Sequence, residues 1–192
     1  MTKVNMQESS TSNIGLWIYL MTDIMLFASL FATFMVLRNN VAGGPSGSEI
    51  FNMPYILVET FILLYSSLMV GLAYVSARHG RKRATIAYLV VGLLAGISFL
   101  GMELWEFAVL VNEGHSWQQS AFLSSYFTLV GTHGLHIFVG ILWGMVILYR
   151  LLRGSWGRHT MRKLGLFVVF WHFLELVWIF IFSIVYLIGG HV

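Results

Sequence analysis

The chain has 192 residues, 58% of them hydrophobic and 10% charged, with a mean hydropathy of +0.79. Soluble domains carry about 25% charged residues, so this composition excludes an ordinary soluble domain and leaves room for about five membrane spans. Cysteine is absent, which excludes disulfides, thiolate metal sites and Cys-ligated iron–sulfur clusters.

Residues 1–13, MTKVNMQESSTSN, are polar and are expected to form a flexible cytoplasmic tail ahead of an uncleaved first span. Residues 14–192 are expected to form a single five-helix transmembrane domain. Its first run, 14–37, carries Trp17 and Tyr19 at interfacial positions and Asp23 within the apolar part. A Gly-, Asn- and Ser-rich loop follows. Pro54 then opens the second run, 54–77, which contains Glu59. RHGRKR links it to the third run, 84–111, with Glu103, Glu106 and a Gly92–Gly96 pair in G-x-x-x-G spacing. The fourth run, 121–149, holds FTLVGTHGLHIFVG. His133 and His136 lie one turn apart there, beside Gly131, Gly134, Gly140 and Gly144. A second basic link leads to the fifth run, 164–188, with His172 and Glu175.

Charge placement predicts the orientation. The links after the second and fourth runs hold nine of the 11 Lys and Arg, so the positive-inside rule puts them in the cytoplasm. The N-terminus is then cytoplasmic and the C-terminus periplasmic. These basic links read as orientation determinants and lipid-headgroup contacts, and nucleic acid is not expected as a partner. The fold class is all-α, a polytopic membrane helix bundle.

Asp23, Glu59, Glu103, Glu106, His133, His136, His172 and Glu175 form an intramembrane polar set with no Lys or Arg deep in any span. An Asp at mid-membrane costs about 2.5 to 3.5 kcal/mol on insertion scales, so these groups are expected to face the bundle interior and hydrogen-bond one another. The glycines on the third and fourth runs are expected to permit close helix approach. E-x-x-E, H-x-x-H and H-x-x-E each place two ligand types on one face, as in di-iron bundles. The Glu-x-x-His motif of such sites is absent, however. His133 or His136 with His172 could supply bis-imidazole haem ligation. A stand-alone membrane di-metal oxidase and a proton or substrate transporter are therefore alternatives to a bundle whose polar groups only tie helices together.

Five separated motifs then resemble one family in its own order. They are WIYLMTDIMLF, VETFILLYSS, GISFLGMELWEF, VGTHGLHIFVG and FWHFLELVWIFIFSIVYL. The chain resembles subunit III of the haem–copper respiratory oxidases and is most similar to the quinol-oxidising cytochrome o branch. The longer members' two extra N-terminal spans are missing. The resemblance implies a non-catalytic subunit of a proton-translocating ubiquinol:dioxygen oxidoreductase in a bacterial inner membrane, inactive in isolation. It also implies packing against subunit I, which carries the haems and copper, contact with other oxidase subunits, and bound phospholipid in a cleft. No cofactor, metal or catalytic residue is then expected on this chain, and the eight polar positions are structural. Family members commonly have Asp where this chain has Glu175. A cytochrome c-oxidising complex is the alternative within the family.

Overall fold

The structure, a computed structural model, describes the backbone of residues 2–38, 53–112, 114, 118 and 120–188, and side chains from residue 14 onward within them. Five helices occur among these residues. They are α1 (Thr2–Leu37), α2 (Met53–Arg78), α3 (Lys82–Asn112), α4 (Ala121–Leu152) and α5 (Arg158–Ile181), and a π-helical stretch, Phe182–Ile188, extends the last. All five are long and apolar enough to cross a membrane. Residues 2–13, expected as a tail, continue α1 as helix. The loop expected at 39–52 and residues 189–192 lie outside the described residues.

The helix ends follow from local chemistry. Pro54 sits in the first turn of α2, where its missing N–H leaves no intrahelical bond unmade. Ser120 caps α4, its hydroxyl accepting from the Leu123 amide at 3.1 Å. Gly80 and Gly154, at φ 71° and 78°, turn the chain out of α2 and α4 in the left-handed conformation that glycine adopts without steric cost. Beyond α1, the helices outrun the predicted apolar runs by up to six residues, mainly where basic ends reach toward water on long apolar stems.

Helix contacts run α2–α3, α3–α4, α4–α5 and back from α5 to α2, so four helices close a ring. α1 stands outside it and leans on α4 and α5. Its inward stripe is Leu20, Asp23, Phe27 and Phe34, at helical spacing, while Trp17, Met21, Met25 and Val36 point outward. The core is aromatic. Phe99, Phe122, Tyr126, Phe167, Phe170, Trp171, Trp178 and Tyr186 are all buried. Large apolar residues line the outside of every helix, as a hydrocarbon solvent requires.

Candidate functional site

The polar set separates into three places. The first is the α1–α4 contact near mid-membrane. Asp23 lies about 21 Å along the axis from Leu37, at a rise of about 1.5 Å per residue. His136 Nε2 stands 3.5 Å from Asp23 Oδ2, and its Nδ1 is 2.7 Å from the Thr132 carbonyl oxygen. That carbonyl orients the ring toward α1. His133 departs from the expected pairing. Both its ring nitrogens are buried without a hydrogen-bond partner, and its neighbours are aromatic: Trp178, Phe99 and Phe27, with ring centroids 5.3, 6.0 and 6.4 Å away. Three residues on a helix turn a side chain by about 300°, so one imidazole faces the ring interior and the other its edge.

The second place is the end of the bundle away from the basic links. Glu59 on α2 and Glu103 and Glu106 on α3 meet there with Tyr126 of α4 and Tyr186 of the π-helical stretch. Tyr186 donates to Glu106 Oε2 at 3.3 Å, and its oxygen lies 3.1 Å from that of Tyr126. Tyr55 closes the end by donating to the Met102 carbonyl at 3.0 Å. Glu59 and Glu103 are fully buried, and none of their four carboxyl oxygens has a hydrogen-bond partner. The expectation that these groups satisfy one another is therefore not what the structure shows. Gly134 makes room for Glu103, since a Cβ there would lie 2.6 Å from Oε1.

The third place is the α2–α5 seam. Ser67 donates to Glu175, Trp178 donates to Thr60 Oγ1 at 3.1 Å, and Trp171 donates to Ser66 Oγ at 3.2 Å. Ser66 in turn donates to the Gly92 carbonyl at 2.7 Å, which ties in α3. Hydropathy alone does not single out Ser66, Ser67, Trp171 or Trp178. The signal that could have found them is their spacing, with Thr60 and Ser67 on one α2 stripe and Trp171, Glu175 and Trp178 on one α5 stripe. His172 holds the Val168 carbonyl through Nδ1 at 2.8 Å, and its ring faces Gly71. Glu175→Gln keeps an acceptor for Ser67, so it is expected to cost under about 1 kcal/mol in thermal unfolding, against about 1–3 kcal/mol for Glu175→Leu.

The glycines act differently from one another. A Cβ at Gly92 would press on Val70 and on the α2 backbone, the close helix approach expected from G-x-x-x-G. At Gly96 and Gly140 it would strike Trp171 at 2.7 and 2.9 Å, and at Gly144 it would strike Leu93 at 2.5 Å. So Gly96 and Gly140 form a socket for one indole instead of bringing two backbones together. Gly131 serves no internal contact of that kind, because a Cβ there would meet only Phe107 at 3.6 Å. Its expected role in close packing within the chain is corrected accordingly.

Among the described residues, no group of three or more His, Asp or Glu side chains is placed to hold a metal ion. His133, His136 and His172 face different neighbours: an aromatic box, Asp23, and Gly71. The structure therefore does not bring these three histidines together as ligands of one metal or haem. What it does is cross-link helices through tryptophan, serine and carboxylate.

Comparison with known proteins agrees with the pattern of motifs. The family model described as cytochrome c oxidase subunit III matches residues 3–190. The cytochrome bo(3) ubiquinol oxidase subunit 3 of Pseudomonas aeruginosa is 53% identical over 92% of this chain and 84% of its own length. The protein of the same name from Pseudomonas putida is 44% identical over 92% and 85%. The cytochrome c oxidase subunit 3 of a Bacillus species is 38% identical over 95% and 88%. With a family match over residues 3–190 and relatives up to 53% identical along most of both chains, this chain belongs to the cytochrome c oxidase subunit III family.

Proposed function

We propose that the chain is the structural subunit III of a quinol:dioxygen oxidoreductase of a bacterial inner membrane, and that it has no redox centre of its own. The observation that carries the reading is 53% identity, over most of both chains, to a ubiquinol oxidase subunit 3. In this reading the haems and copper reside in subunit I, ubiquinol is the complex's electron donor, and the N-terminus is cytoplasmic. The chain holds its bundle rigid through the α2–α5 seam and presents an apolar exterior to subunit I and other oxidase subunits. Asp23, Glu106, His136 and Glu175 act inside the subunit as helix ties, and none of the eight polar positions carries electrons.

The test is purification of the tagged chain in mild detergent. Co-purification with a haem-bearing subunit, with oxygen uptake driven by ubiquinol, is expected. Stoichiometric iron, copper or haem on the isolated chain would overturn the reading. A complex driven by cytochrome c and inert toward ubiquinol would move the chain to the other branch of the family.

Lipid belongs to the same reading. A groove of about 370 Å³ runs between α1 and α5, lined by Leu16, Trp17, Met161 and Val169 and closed by Tyr74 of α2. Arg162, one turn into α5 on the side of the basic links, also lines it. An acyl chain along the groove and a phosphate on the guanidinium match this chemistry. Arg162→Gln is expected to lower the anionic phospholipid retained by the purified complex, read by mass spectrometry, while leaving its haem spectrum unchanged.

A further inference from the structure

Two carboxyls at the end of the helix ring away from the basic links are left without partners by the fold. Glu59 of α2 is 0% exposed and Glu103 of α3 is 1% exposed, and none of their four oxygens meets a hydrogen-bond donor. Glu103 lies against the α4 backbone, since a Cβ on Gly134 would stand 2.6 and 2.8 Å from its two oxygens. The two acids come from different helices, yet they lie within electrostatic reach of each other and of Glu106. The titratable groups that face them are acidic or phenolic: Tyr55 from α2, Glu106 from α3, Tyr126 from α4 and Tyr186 from the π-helical stretch. His133 of α4 is turned into its aromatic box and bonds neither acid. Among the described residues no Lys or Arg is paired with Glu59, Glu103 or Glu106, Arg38 at the end of α1 included.

Two ionised carboxylates in these positions would face each other with neither donor nor counter-charge, and bulk water does not reach atoms so fully covered. The unpaired charged form is the costly one, and a carboxyl so placed takes up a proton instead. Glu106 is built differently. It is partly exposed, and it accepts from Tyr186 at 3.3 Å, with the Tyr126 oxygen 3.1 Å beyond. A donor and an open side suit the ionised form. Glu103 and Glu106 are three residues apart, so they are neighbours on one face of α3. We infer that this end of the bundle is a proton-binding site, in which Glu59 and Glu103 each hold a proton as neutral carboxylic acids and Glu106 exchanges protons with them. A proton leaving Glu103 breaks its O–H bond there and forms a new one on ionised Glu106, which releases it to water; uptake runs in reverse, and no electron moves. The site is internal to this chain and goes beyond its place in an oxidase.

Infrared spectroscopy of the intact complex tests this, because the carbonyl stretch of a protonated carboxyl is distinct from the stretches of a carboxylate and shifts in deuterium oxide. Parent-minus-variant spectra at neutral pH separate these two groups from the acids of other subunits. Glu59→Gln and Glu103→Gln are each expected to remove one protonated-acid band. If a glutamine variant does not assemble, Glu59→Met and Glu103→Met, of similar length and without a buried amide, give the same difference. Glu106→Gln is expected to keep both bands and to slow their deuterium shift by about a hundredfold, the lower end of what a positioned proton-transfer group contributes. Loss of carboxylate bands in place of acid bands at positions 59 and 103 would overturn the inference. So would acid bands that vanish on addition of sodium or calcium, the behaviour of a cation site. An unslowed deuterium shift in Glu106→Gln would remove Glu106 as the exchanging group. A chain that co-purifies with no oxidase subunit defeats the functional reading alone, since the same spectra can then be read on the chain by itself.

Discussion

Trp171→Ala is expected to be the most damaging single truncation in the chain, costing about 3–5 kcal/mol of stability. The indole is buried at 1% exposure, where its six-membered ring fills the space left by Gly96 of α3 and Gly140 of α4. Phe167 packs on it one turn away at a ring distance of 5.4 Å. Its Nε1 donates to Ser66, which holds the Gly92 carbonyl. Removing it opens a cavity where α2, α3, α4 and α5 all meet, and it strips a donor from a buried hydroxyl. The socket cannot collapse easily, because its walls are helix backbone at the two glycines. Thermal unfolding of the purified complex checks this, and Trp171→Phe separates the two effects. Phenylalanine restores most of the volume without the N–H, so it is expected to recover all but about 1–3 kcal/mol. An alanine variant as stable as the parent would show that the socket does not hold the ring of helices together.

His133→Leu and His136→Leu are expected to differ sharply, although the two histidines stand one turn apart. Leucine at 136 leaves Asp23, 6% exposed, without its imidazole partner deep in the membrane. Leaving a buried polar group without its neighbour costs about 1–3 kcal/mol or more, and only the Tyr19 hydroxyl then remains beside Asp23. Leucine at 133 instead removes two buried nitrogens that have no hydrogen bond and leaves an apolar side chain among Phe27, Phe99 and Trp178. Its cost is expected to stay under about 1.5 kcal/mol, the lost ring packing being offset by the removal of unsatisfied polar atoms. Joining Asp23→Leu to His136→Leu should then recover most of the loss, which a double-mutant cycle in thermal unfolding measures directly. The haem spectrum of the assembled complex is expected to stay unchanged in all four variants. Equal losses for the two single histidine variants would contradict the arrangement.

Much of the architecture was legible before any coordinates. The five spans follow from apolar run length, since a hydrocarbon slab demands helices that satisfy their own backbone. The predicted and observed spans differ mainly at the basic ends, where Arg and Lys stems extend helices past the apolar run. The family was legible from five motifs in order, because motif order survives without knowledge of packing. Less of the site was visible. Hydropathy flags Asp23, Glu59, Glu103, Glu106, His133, His136, His172 and Glu175 as unusual but does not say which helix each one faces.

That distinction is physical. Composition and run length are one-dimensional properties and act through transfer energy, which depends on residue type and depth alone. They determined that this chain is a five-span membrane bundle, and the motifs added its resemblance to the subunit III family. Pairing depends on helix rotation and neighbour, which only packing sets. The tertiary structure decided that His136, not His133, meets Asp23, and that Glu175 meets Ser67 across the seam. It also decided that Gly96 and Gly140 hold a tryptophan while Gly131 holds nothing of its own chain. A few tens of degrees of rotation about a helix axis separate these outcomes, and no property of a single residue encodes that angle.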